Sequence, residues 1–156
     1  MMNETSNIDK SRLIIPQLAG FYRGVAPLSY VFIRIVIALV LLPDGFDKMF
    51  LGGVERIATG NIAKLGLPLP YVWSWAVGGL EFFGGILLGF GLFTRPVAVA
   101  CTVMLSVIAF GIAAPRGLLW TSNGFEVALL LGLATIGFVF GGGGRYSLDR
   151  VIGREF

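Results

Sequence analysis

The stretch "LLPDGFDKMFLGG", residues 41–53, sets Asp44, Asp47 and Lys48 directly behind an apolar run. Two more carboxylates interrupt apolar runs further on, Glu81 in "GGLEFFGG" and Glu126 in "NGFEVALL", and Arg34 interrupts the run ahead of the first stretch. Charges in greasy surroundings support a short list of roles: proton transfer, hydrogen bonding to a ligand oxygen, lining of a transport path, or mutual pairing that fixes helix register. There is no histidine and a single cysteine, Cys101. That excludes imidazole haem ligation, histidine zinc sites, Cys-x-x-Cys redox chemistry and any triad with a histidine base. Cys101 lies inside an apolar run and reads as a small buried apolar residue. Chemistry within the chain therefore rests on carboxylates, Lys, Arg, Tyr or a bound organic cofactor, and neither a metal site nor an intrinsic cofactor is expected.

The elements that carry these residues follow from composition. The chain has 156 residues, 56% hydrophobic and 13% charged, with a mean hydropathy of +0.84. A soluble domain of this length needs a more polar surface. Apolar runs at 71–93, 97–114 and 124–140 each approach the ~20 residues that cross a bilayer. A fourth, 28–50, qualifies only by carrying Arg34 and the charges of the opening stretch. The reading is all-α: an integral membrane four-helix bundle over 28–141, between a polar or interfacial N-terminal arm (1–27) and a cytoplasmic C-terminal tail (142–156). Placing both termini in the cytoplasm puts the larger share of Lys and Arg inside, which favours N-in/C-in topology. The net charge of +3 is too small to suggest nucleic acid. The first 27 residues lack the continuous apolar core of a cleavable signal peptide. "FTRP" at 93–96 reads as a tight cytoplasmic turn and 114–124 as an outer one. The longer outer connection, 51–70, is expected to hold a short amphipathic helix in "GGVERIATGNIAKLG".

Helical periodicity sorts the residues onto faces. Gly78, Gly85 and Gly89 share a face with Glu81. Gly85 with Gly89, and Gly137 with Gly141, form G-x-x-x-G pairs, which let helix backbones approach closely in lipid. Arg34, Ala38, Leu41, Gly45 and Lys48 form one stripe on the first span. At about 1.5 Å per residue Arg34 lies about 9 Å above the cytoplasmic end. Glu81 falls near mid-membrane, so an Arg34–Glu81 pair is expected. Glu126 arrives at the depth of Asp44 and Lys48 and is expected to complete a Lys48-centred cluster, with Asp47 pointing away into water. Such a cluster either only fixes the packing or lines a polar cavity, and both readings stand at this point.

"RIVIALVLLPDGFDKMF", "GGLEFFGGILLGFGLFTRP" and "GGGGRYSLDRVIGREF", in this order, resemble the DoxX family of small four-helix bacterial membrane proteins. The resemblance runs from about residue 28 to the C-terminus, and its typical positions are Arg34, Gly45, Lys48, Glu81, Arg95, Glu126 and the run Arg145 to Asp149. One departure stands out: many relatives of this subgroup have Pro-His-Gly where this chain has Pro43-Asp44-Gly45. The resemblance implies a multi-pass protein of the bacterial cytoplasmic (inner) membrane. Named family members look like membrane subunits of oxidoreductase assemblies, one of them a thiosulfate:quinone oxidoreductase. The expected function is accordingly an accessory or anchoring subunit beside a partner redox protein or in a homo-oligomer, with quinone as the candidate ligand. A small-molecule or ion transporter using the intramembrane carboxylates, and a purely structural scaffold, are the alternatives.

Overall fold

A computed structural model describes residues 13–154. The charges of the arm at Glu4, Asp9, Lys10 and Arg12 lie outside the described residues, as do the last two residues of the tail. The described chain is helical throughout, without strands. A short 3-10 turn opened by Pro16 leads into α1 (Ala19–Val25), which buries Ala19 and exposes Phe21, Tyr22 and Val25. The long helices follow: α2 (Leu28–Phe50), α4 (Pro70–Phe90) and α5 (Thr94–Arg116) are each long and apolar enough to cross a membrane, and α6 (Glu126–Gly141) is a shorter apolar helix of 16 residues. Between α2 and α4 runs α3 (Gly53–Ile57), continued by a π turn over Ala58–Ile62 and a 3-10 turn over Ala63–Leu65. Val54, Ala58 and Ile62, four residues apart, are its buried stripe. This is the amphipathic helix expected of that connection. A last short helix, α7 (Leu148–Ile152), is capped by Ser147, whose Oγ accepts from Arg150 N.

The core holds Ile37, Leu41, Leu88, Ala98, Cys101, Leu105 and Phe138. Large apolar side chains such as Phe32, Leu39, Phe83, Phe90, Val103, Phe110, Leu130 and Phe140 are exposed on every long helix. Helices apolar on both faces suit a hydrocarbon surround, where burial of apolar area no longer drives association. Polar and close contacts take over that role. Between α5 and α6 the Thr102 and Thr135 hydroxyls lie 2.8 Å apart, and Thr135 Oγ1 also donates to the Gly132 carbonyl at 2.8 Å.

Between α2 and α4 glycine sets the approach. A Cβ added at Gly45 would lie 2.7 Å from the Phe82 Cα and 2.9 Å from the Glu81 carbonyl carbon. Backbone therefore rests on backbone there. Gly78 packs on Lys48, Gly85 on Leu41 and Leu42, Gly89 on Ala38, and Gly91 on the Arg34 guanidinium. Gly84 turns the other way, toward Val97 and Cys101 of α5. The second glycine pair behaves differently from the first. Gly141 packs under the Tyr30 ring, but Gly137 is exposed with nothing near the place of a Cβ, so it does not serve helix packing within this chain.

Candidate functional site

The α2 and α4 faces run antiparallel in one register, and that register decides which charges meet. Gly78 stands level with Lys48. The first two turns of α4 thus project past Lys48 by about 12 Å, at 1.5 Å per residue. Glu81, one turn deeper than Gly78, falls beneath Lys48. Lys48 Nζ donates to Glu81 Oε2, closing an ion pair whose side chains are 16% and 4% exposed. The expected Arg34–Glu81 pair does not form, because Arg34 stands opposite the end of α4 at Gly91.

The Lys48–Glu81 pair forms part of the wall of a cavity of 740 Å³, bounded by α2, α3, α4, α5 and α6. Its deep wall is apolar, with Leu41, Leu105, Ile108, Ala128 and Leu131. The mouth is polar and solvent-reached: Asp44, Arg56, Arg116 and Asn123 are exposed there, beside the Trp120 ring. Asp44 precedes Lys48 by one turn on the same wall, and its charge acts on Glu81. Glu81 itself sits in a π turn, Leu80–Gly84. Such single wide turns inside α-helices recur at functional sites. Here the turn lets Gly84 face α5 and Gly85 face α2 while the carboxylate stays on the cavity side.

Two other sequence expectations need correction. Glu126 does not join Lys48: it is the first residue of α6, and its Oε2 accepts from the Trp120 backbone N–H at 3.1 Å, tying the preceding loop to the helix start. Asp47 is not simply solvated. It pairs with Arg56 Nη2 and joins the end of α2 to α3 at the rim of the cavity. Gly53 follows from the same contact, since a Cβ there would press on the Asp47 carboxylate and the Lys48 Cα.

A second cluster, at the opposite end of the bundle, uses Arg34. Its guanidinium is almost fully buried and donates to the Gly143 carbonyl at 2.8 Å and the Tyr146 carbonyl at 2.6 Å. The Asp149 carboxylate, also buried, accepts from Phe93 N at 2.7 Å, Thr94 N at 2.9 Å and Thr94 Oγ1 at 2.7 Å. Asp149 thereby caps the N-terminus of α5 from a distant part of the chain, where the helix offers unpaired N–H groups and a positive dipole end. The Asp149 N–H returns to the Gly91 carbonyl at 2.9 Å. Residues 142–153 are thus docked against α2 and the α4–α5 turn, with Gly142 and Gly144 at φ +68 and +75 turning the chain back. Thr94, Ser147 and the capping role of Asp149 were not identified from sequence. "YSLD" after a glycine run does signal a helix start, but the donors that Asp149 meets lie more than fifty residues away.

Among the described residues no group of three or more His, Cys, Asp or Glu side chains is placed to hold a metal ion. The cavity joins an apolar interior to a polar rim, with the part-buried Lys48–Glu81 pair in its wall.

The DoxX family model matches residues 29–114, which carry Arg34, Asp44, Lys48 and Glu81. An uncharacterized protein of Haemophilus influenzae is 35% identical over 126 residues, covering 79% of this chain and 90% of the relative. An uncharacterized membrane protein of Mycobacterium tuberculosis is 28% identical over 153 residues, 90% of this chain and 91% of its own length. No solved structure matches. With a family match over more than half its length and a relative covered almost end to end, this membrane protein belongs to the DoxX family.

Proposed function

We propose that this protein is an accessory or anchoring subunit of an oxidoreductase assembly in the bacterial cytoplasmic membrane, and that its cavity admits a quinone headgroup. In this reading α6 is a fourth, short span beside α2, α4 and α5, and both termini face the cytoplasm. The observation that carries it is the pair of half-buried Lys48 with buried Glu81 in the wall of a 740 Å³ cavity whose deep wall is apolar. A quinone needs those features: a donor for its carbonyl oxygen, a group that exchanges protons, and an apolar slot for ring and tail. Lys48 supplies the donor and Glu81 the proton-exchanging carboxylate. Arg34 and Glu126, the other sequence candidates for these two tasks, are engaged with backbone elsewhere and take no part.

The transporter alternative requires a path continuing beyond the cavity, and the Arg34 and Asp149 bonds tie the opposite end together. The scaffold alternative leaves the cavity without a purpose. The decisive experiment is purification of the native protein in mild detergent, with extraction of bound quinone and identification of co-purifying polypeptides. A quinone together with a redox enzyme supports the proposal. Recovery of neither, from the isolated chain and from its native complex, removes it.

A further inference from the structure

The long helices stand in a row rather than in a closed ring. α2 packs along α4, α4 meets α5, and α5 packs along α6, whereas α2 and α6 are not in extended contact. These two meet at one end, where the Tyr30 ring lies edge-on to Phe138 with centroids 6.0 Å apart and covers Gly141 and Gly144. Toward Lys48 they part, and the gap between them is a side of the cavity, lined by Val40 and Leu41 of α2 and by Val127, Ala128 and Leu131 of α6. At 1.5 Å per residue Val40 stands about 15 Å from Tyr30, and Leu131 and Val127 stand about 10 and 16 Å from Phe138. The two edges of the gap therefore lie at one height. Both are open to the outside, with Val40 38% exposed and Val127 45% exposed.

Val40 lies one helical turn deeper than Asp44, among the apolar residues of α2, so the medium at the gap is lipid. The cavity thus has two exits of opposite character: a charged mouth at Asp44, Arg116 and Asn123, and an apolar side opening between Val40 and Val127. At 740 Å³ it holds a headgroup of ordinary ligand size but not a long isoprenoid chain as well. Such a chain must leave by one exit, and burial of apolar surface favours the side opening over the charged mouth. The headgroup can still be held, because the Lys48 ammonium keeps two further donors while it is bonded to Glu81. We infer that the gap between α2 and α6 is a lateral portal through which the cavity takes a ligand dissolved in the bilayer, with the headgroup at Lys48 and the apolar tail lying between Val40 and Val127. The inference rests on the quinone reading of the cavity and adds the route of entry and the place of the tail.

The test narrows the portal and compares two probes in the purified full chain: ubiquinone-2, which has an isoprenoid tail, and ubiquinone-0, which has none. Quenching of tryptophan fluorescence is the signal, since Trp120 lines the cavity. The double variant Val40→Phe, Val127→Phe is expected to lose about tenfold or more in affinity for ubiquinone-2, the scale of overpacking an apolar slot, and to keep the wild-type affinity for ubiquinone-0. Val103→Phe on α5, exposed and outside the cavity wall, should change neither. The wild-type chain gives a second reading that needs no variant. In lipid vesicles, a ubiquinone with a diazirine at the end of its tail should label peptides of α2 around Val40 and of α6 around Val127, and excess ubiquinone-2 should suppress that label. Wild-type affinity for ubiquinone-2 in the folded double variant, or equal loss of both probes, overturns the portal while the quinone reading stands. Suppressible label confined to the loop at Trp120 and Asn123 places the tail in the mouth and also overturns it. Binding of neither probe by the wild-type chain, folded by circular dichroism, removes the quinone reading and this inference with it.

Discussion

Gly45→Ala adds one methyl group at the tightest point of the molecule. Its Cβ would lie 2.7 Å from the Phe82 Cα and 2.9 Å from the Glu81 carbonyl carbon, with the Phe82 amide nitrogen nearer still, whereas ordinary contact begins at 3.4 Å. The α2 and α4 backbones must part by at least 0.7 Å at this point to restore contact with the Phe82 Cα. Both partners are backbone, so no side chain can rotate away. Overpacking of this kind costs about 1–3 kcal/mol, and the upper part of that range applies here. Alanine in a helix returns about 0.5–1 kcal/mol relative to glycine, which leaves a net loss of about 2 kcal/mol. Gly137→Ala is the matched comparison, because its Cβ meets nothing and only the helix gain of about 0.4–1 kcal/mol remains. Reversible unfolding by dodecyl sulfate titration in mixed micelles, followed by circular dichroism, should therefore move the two midpoints in opposite directions. Equal midpoints for the two variants would refute the assigned register and the distinction between Gly45, which sets the α2–α4 contact, and Gly137, which meets nothing.

The remaining expectations concern the charges. Lys48→Met leaves Glu81 buried without its cation and should lower stability by about 3 kcal/mol in the same titration; adding Glu81→Met should recover most of the loss, since a buried pair replaced by apolar residues is often neutral. Asp149→Ala removes the acceptor of Phe93 N, Thr94 N and Thr94 Oγ1. At about 1–3 kcal/mol for a buried donor left unpaired, it should release residues 142–153 to rapid hydrogen exchange and proteolysis while the amides around Lys48 and Glu81 stay protected. Asp47→Asn breaks an exposed pair with Arg56, and should change the unfolding midpoint by less than about 1 kcal/mol.

Much of this protein is legible along the chain because a helix repeats every 3.6 residues and lipid demands apolar runs. The stripe Arg34, Ala38, Leu41, Gly45 and Lys48, the glycine face around Glu81, the amphipathic helix after α2 and the burial of Cys101 all follow from that local periodicity. Periodicity places a residue on a face, but it is silent about how far one helix slides along another. The depth of Glu81 depended on where α4 starts, and its first two turns project past Lys48. That shift exchanges Arg34 for Lys48 as the partner of Glu81. The same limit hid the docked C-terminal segment: Arg34 finds its acceptors, and Asp149 its donors, only after two glycine turns bring back a part of the chain more than fifty residues from the α4–α5 turn and more than a hundred from Arg34. Sequence determined the helices, their faces and the stock of charges. The tertiary structure decided the register, and with it which charges are buried against each other and which enclose a cavity, because those pairings depend on distances that no local pattern encodes.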